Sequence, residues 1–261
     1  MLLAIDVGNT NIVLGVFEGE LLTESWRLVT MRERTSDEIG ILVSQLFERS
    51  DIGVAAIDGI ILSSVVPPLT RTMEEMCERF FDRRPLTVEP ASNTGMPILY
   101  QPPSDVGADR VVNAVAAYEM FGRAGSTPII VVDFGTATTF DAISGQGEYI
   151  GGVICPGIGI SADALFQRAA RLPRVDVRKP PAVIGRTTVT SMQSGLFFGY
   201  VSMVDGIVTR MRGELEGGSG AMCLATGGMA DILAAETTTI QRVEPDLTLQ
   251  GLRIIWGRNR Q

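Results

Sequence analysis

The chain has 261 residues, 45% of them hydrophobic, and a formal net charge of −8. That suits one large or two smaller globular domains and argues against a nucleic-acid surface, where phosphates require clustered Lys and Arg. Histidine is absent and Lys179 is the single lysine, which excludes Ser-His-Asp and Cys-His catalysis, His-ligated zinc and a Walker A Gly-Lys-Ser/Thr loop.

Residues 2–6 (LLAID) and 12–17 (IVLGVF) read as strands joined by the turn Val7-Gly8-Asn9-Thr10, and a third strand at about 20–29 follows Glu18-Gly19. Ser36 is expected to cap a helix whose apolar stripe is Ile39, Leu42, Val43, Leu46 and Phe47. A continuous apolar strand from Gly59 to Val66 ends at Pro67-Pro68, and a helix follows over about 69–81. Residues 90–105 are rich in Pro, Ser and Asn and read as a loop, a place where function concentrates. Asp105 or Ser104 is expected to cap a long apolar helix running through Phe121.

The same order restarts at Ile129. Strand 129–134 meets the turn Gly135-Thr136-Ala137-Thr138, then come strands 139–143 and 149–155 and a helix near 161–171. Helices at about 190–214 and 246–259 flank a short strand, AMCLAT, at 221–226. Asp6 and Asp133 close equivalent apolar strands about half a chain apart, so a duplicated α/β fold is expected, divided at 1–125 and 126–261. No stretch approaches the roughly 18 uncharged apolar residues of a membrane span. The opening MLLAIDVGNT lacks a basic n-region and a small-residue cleavage site, so a secretory signal is not expected. Cys77, Cys155 and Cys223 match no ligand spacing and read as free buried thiols of a reducing compartment, the cytoplasm.

The strand-end turns carry the chemistry. In Asp6-Val7-Gly8-Asn9-Thr10, Gly8 permits close backbone approach, Asn9 tolerates a left-handed backbone, and successive N–H groups can form an anion nest. Asp133-Phe134-Gly135-Thr136 repeats the pattern, and the two turns are expected to face each other across a cleft and hold a triphosphate. The aspartates would then hold cations. A third junction, Ala225-Thr226-Gly227-Gly228-Met229, allows a flat ring or ribose close to the backbone. Asp109 lies in the first turn of a helix, where the dipole favours its ionised form, so it can orient an alcohol and accept its proton while Arg110 presents a fork to an anion. A purely structural reading, in which Asp109 only complements the dipole and Arg110 pairs with a surface acid, stays open on pattern alone.

Seven stretches together resemble the type III pantothenate kinases: DVGNTNIVLGVF, GADRVVNAVAAY, DFGTATTFD, GGVICPGIGIS, Gly185 to Gly195, ATGGMA and PDLTLQGL. The resemblance implies two ribonuclease-H-like domains of the actin and sugar-kinase superfamily. It also implies ATP- and Mg2+-dependent phosphorylation of pantothenate to 4'-phosphopantothenate, the first step of coenzyme A biosynthesis. By position, Asp6, Val7, Gly8, Asn9, Thr10, Asn11, Ile12 and Val13 match the first phosphate loop, and Thr136 a nucleotide contact. Asp133 matches the ligand of a monovalent cation, K+ or NH4+. Asp109 matches the general base, and Tyr100, Gly107, Ala108, Arg110 and Thr188 the acceptor pocket. Thr187 stands where the family usually has Asn, and Glu244 where Asp is common. Family members are homodimers. Leu196, Phe197, Phe198 and Tyr200 read as core rather than interface. Alternatives are a nucleotide-binding regulator or transcription accessory protein of the same fold, and a kinase for another small hydroxy compound.

Overall fold

The structure is a computed structural model that describes residues 1–89 and 93–260. Pro90, Ala91 and Ser92, the start of the expected 90–105 loop, lie outside the described residues, as does Gln261. The chain divides into two units, Met1–Ala116 with Leu247–Gln261, and Ala117–Asp246.

The first unit is built on strands β1 (Leu2–Val7), β2 (Asn11–Glu18), β3 (Leu21–Val29), β4 (Gly59–Ser64) and β5 (Leu86–Thr87), in the sheet order β3-β2-β1-β4-β5. β1 pairs antiparallel with β2 and parallel with β4. Flanked on both sides, β1 is almost wholly buried, which is why it reads as an unbroken apolar run, whereas the edge strand β3 alternates exposed and half-buried residues. Helices α1 (Ser36–Arg49) and α2 (Pro67–Phe81) cover one face. Of the expected α1 stripe, Ile39, Val43 and Phe47 are buried, and the Phe47 ring meets Trp26 at 5.4 Å and Phe81 at 5.5 Å. β4 ends at Ser64, two residues short of the expected Val66, and α2 begins at Pro67, two residues earlier than expected, because a proline in the first turn needs no N–H.

The N-cap of α1 is Thr35, which corrects the assignment to Ser36. Thr35 Oγ1 accepts from Glu38 N–H at 3.3 Å, and Glu38 Oε2 accepts from Thr35 N–H at 2.8 Å. A capping box needs its acid three residues on, and only Thr35 has Glu38 at that spacing. Thr35→Ala should destabilise the protein by about 1 kcal/mol, read from the urea-unfolding midpoint.

Helix α3 (Ala108–Ala117) ends four residues short of Phe121, and a π-helical turn over Tyr118–Gly122 takes up the rest. The C-terminal helix, Leu247–Asn259, packs on β1 and β4, and Thr248 Oγ1 donates to Asn113 Oδ1 of α3 at 2.7 Å. The expected division at 125/126 groups this helix with the second half; in the structure it returns to the first sheet.

The second unit repeats the topology. Strands β6 (Ile129–Phe134), β7 (Ala137–Ile143), β8 (Tyr149–Pro156), β9 (Met222–Thr226) and β10 (Arg242–Val243) lie in the order β8-β7-β6-β9-β10, with β6 antiparallel to β7 and parallel to β9. Its helices are α4 (Ile158–Arg168), α5 (Thr188–Glu214) and the short α6 (Ala230–Ala234). Leu196, Phe197 and Tyr200 lie in this unit's core with Phe198 packed against it, as their helical spacing suggested. The two sheets are mixed, flanked by helices and identical in strand order, which is the expected duplicated α/β class. Among the described residues no helix is long and apolar enough to cross a membrane.

Candidate active site

In the first unit the candidate residues gather at the carboxyl ends of β1 and β4, the edge of an open α/β sheet where ligands bind. Asp6 sits opposite Val13 of β2 and Ser63 of β4. Beyond the last pair, Val7 with Ile12, Gly8 N–H donates to Asn11 O at 3.0 Å and closes the turn. Asn9 and Thr10 are exposed at its tip. Left-handed backbone occurs at Asp51, Asp82 and Ser126 among described non-glycine residues, so Asn9 does not adopt it. A four-residue hairpin loop can be closed without it.

The turn is braced by residues that sequence reasoning missed. Thr30 N–H donates to Thr10 O at 2.9 Å, Thr30 Oγ1 donates to Gly8 O at 2.7 Å, and Arg32 Nη2 donates to Asn9 Oδ1 at 3.3 Å. The available signal was the pairing of Asn11 with Val29, which delivers the end of β3 to the turn. With carbonyls of Gly8 and Thr10 turned to Thr30, the loop is held in one shape before any anion arrives.

Gly107 and Asp109 belong to the same corner. Val65 N–H donates to Val7 O at 3.0 Å, which fixes the chain after β4 against the end of β1. A Cβ on Gly107 would lie 3.7 Å from Val65 Cγ1 and only 2.6 Å from Asp109 Oδ1. The Asp109 carboxylate therefore folds back over Gly107, a position only glycine can occupy without moving it. Gly107 O accepts the first helical bonds, from the N–H groups of Arg110 and Val111. Ser104 and Asp105 lie earlier, in a 3₁₀ turn over Pro103–Asp105, so neither caps α3 as expected. Tyr100 is half-buried on the approach to that turn, and Ala108 and Arg110 are buried.

Burial pushes the Asp109 carboxyl above the ordinary carboxylate range, against the pull of the Arg110 N–H, which reaches Oδ1 at 2.8 Å, and of the Arg110 guanidinium. The sequence expectation rested on the helix dipole; in the structure burial outweighs the hydrogen bonds and the Arg110 charge, and the carboxyl shifts upward.

In the second unit Asp133 lies between Thr139 of β7 and Thr226 of β9, the place Asp6 holds in the first. Gly135 N–H donates to Ala137 O at 3.1 Å, and Thr136 is exposed at the tip. The third glycine junction is brought directly to this aspartate. Gly227 has φ +93°, and a Cβ there would lie 2.5 Å from Asp133 Oδ1 and 2.7 Å from Phe134 O. Asp133 Oδ1 and the Phe134 carbonyl thus lie against the bare backbone of Gly227. Among the described residues no group of three or more His, Cys, Asp or Glu is placed to hold a metal ion.

Thr188 is the first residue of α5 and is exposed. Thr187 caps that helix: its Oγ1 accepts from Thr190 N–H at 3.2 Å, and Thr190 Oγ1 accepts from Thr187 N–H at 3.0 Å. Threonine thus fills the capping role open to asparagine, and the departure at 187 leaves the helix start capped. Beside it lies a cavity of about 820 Å³ lined by Gly185, Arg186, Thr188, Met192, Leu165 and Leu172 among others.

The family model for type III pantothenate kinase matches residues 2–210. A type III pantothenate kinase of Myxococcus xanthus is 59% identical over 99% of both chains, and one of Geobacter sulfurreducens is 54% identical over the full length of both. Among solved structures, a Campylobacter jejuni protein described as a Baf family transcriptional activator aligns with TM-score 0.62 at 19% identity over 98% of each chain. An inorganic polyphosphate/ATP-glucomannokinase of Arthrobacter aligns with TM-score 0.52 at 13% identity over 99% of each. At such identities these two likenesses concern the fold alone.

Proposed function

The chain belongs to the type III pantothenate kinases, and from that premise we propose how its own residues phosphorylate pantothenate. The enzyme transfers the γ-phosphoryl group of ATP to the pantothenate hydroxyl and feeds coenzyme A synthesis. One observation carries the residue assignment: the Asp109 carboxylate lies over Gly107, and Gly107 neighbours Val65, which is tied to Val7 at the end of β1 that carries the Asp6 turn.

Residues Asp6 to Val13 and Thr136 are assigned to the nucleotide, their backbone N–H groups and hydroxyls meeting phosphate oxygens without a lysine. Gly107, Ala108, Arg110, Tyr100 and Thr188 are assigned to pantothenate, with Arg110 offering a fork to its carboxylate. Asp109 accepts a hydrogen bond from the acceptor hydroxyl, orients it, and takes its proton as the new P–O bond forms. A carboxyl raised above the usual range is a stronger base than an ordinary aspartate, and its best operating point moves toward neutrality.

The divalent cation that accompanies ATP would supply charge neutralisation at the phosphates, and Asp6 is the carboxylate of the first turn that would hold it. A monovalent cation is assigned to Asp133. The enzyme is taken as a cytoplasmic homodimer. Free Cys77, Cys155 and Cys223 support the reducing compartment. The exposed apolar side chains of Ile150 and Ile154 on the edge strand β8, and of Leu165 and Phe166 on α4, support self-association.

A coupled assay with ATP, magnesium, potassium and pantothenate tests this reading. Turnover should require pantothenate and rise with potassium. Because Asp109 must be deprotonated to act, log kcat/KM should fall with unit slope as pH drops through its pKa, and that break should lie above the position of an ordinary carboxylate. ATP consumption with a sugar but not with pantothenate would overturn the reading.

A further inference from the structure

Two adjacent serines end β4, and among the described residues only Ser64 finds a hydrogen-bond partner for its hydroxyl. Ser64 Oγ accepts from Val66 N–H at 3.2 Å and from Thr70 Oγ1 at 2.9 Å, tying the strand to the start of α2. Ser63 is 0% exposed, and its hydroxyl has no hydrogen-bond partner among the described residues. Buried hydroxyls are nearly always paired, because desolvating one without compensation costs stability. An orphan of this kind calls for an explanation.

Its place supplies one. Ser63 is in direct parallel register with Asp6, and residues in register on neighbouring strands point to the same face of the sheet. The hydroxyl is therefore the side-chain neighbour of the Asp6 carboxylate across the β1–β4 ladder. The second unit repeats the arrangement with another hydroxyl residue, Thr226, in register with Asp133. Leu62 and Ser64 on either side of Ser63 face the opposite way, so the geometry singles out this one side chain.

We propose that Ser63 is a positioning residue for Asp6, its hydroxyl reserved for the Asp6 carboxylate in the nucleotide-bound enzyme, where it fixes the rotamer that meets the cation and the phosphates. The proposal rests on the assignment of the Asp6 turn to ATP. Interactions one shell removed from a metal or phosphate ligand change affinity or activity by about 10–100-fold when lost.

The test is Ser63→Ala in the full chain, with three measurements. Calorimetric titration with magnesium and a non-hydrolysable ATP analogue should show affinity weakened about tenfold or more. Turnover should fall while the KM for pantothenate stays within about twofold, because Asp6 is assigned to the nucleotide and not to the acceptor. The thermal midpoint should hold or rise, since an unpaired buried hydroxyl has been removed. Nucleotide affinity and turnover equal to wild type would overturn the proposal. So would losses that come with a lowered midpoint, because the hydroxyl would then have a structural partner. Nucleotide binding needs no pantothenate, so a wild type that binds the analogue yet leaves pantothenate untouched would defeat the functional reading instead.

Discussion

Asp109→Asn should lower kcat by about 10²–10⁴, or roughly 2.7–5.5 kcal/mol of transition-state stabilisation, with little change in the KM for ATP. The amide keeps the carboxylate's shape and one oxygen for the Arg110 N–H, so the backbone at the start of α3 has no reason to move. What it removes is the capacity to accept a proton. Because burial already disfavours the charged form of Asp109, a neutral amide in the same place should leave the thermal midpoint unchanged or raise it. The acid limb of the pH–rate profile should vanish with the carboxylate. Activity equal to wild type would remove Asp109 from the chemistry, and lost activity together with a lowered midpoint would make its role structural.

Gly227→Ala should both destabilise the second unit and displace the Asp133 carboxylate. At φ +93° an L-residue is strained, and the added Cβ would meet the Asp133 carboxylate at 2.5 Å and the Phe134 carbonyl at 2.7 Å. Strain of this sort costs about 1–3 kcal/mol, measurable by urea unfolding. The strain and the displaced carboxylate act through one contact, so the potassium concentration giving half-maximal rate should rise in the same variant. A normal unfolding midpoint together with an unchanged potassium curve would show that the junction does not press on Asp133.

The strands and helices were legible because their signals are local. The buried runs at 2–6, 59–66 and 129–134 and the helical spacing from Ile39 to Phe47 depend only on near neighbours in sequence. The repeat was legible for the same reason, since Asp6 and Asp133 each close such a run. Errors of detail came where two local rules competed. Ser36 and Thr35 are both capping residues, and only the spacing to Glu38 decides between them.

The remaining features needed the third dimension. That Thr30 and Arg32 brace the first turn follows from β3 pairing with β2, and that Gly227 abuts Asp133 follows from β9 pairing with β6. Asp109 shows the limit most clearly. Its position at a helix start was readable and suggested a stabilised charge, but the protein mass packed around it, which reverses the direction of its shift, is a tertiary fact.

The return of the C-terminal helix to the first sheet sets an order of events during synthesis. The segment that closes over β1 and β4 leaves the ribosome after every strand of both sheets. The half bearing the Asp6 turn and the proposed base is therefore begun first and completed last. A message cut short by a few dozen codons would yield a chain with all its proposed catalytic groups and no finished scaffold beneath them.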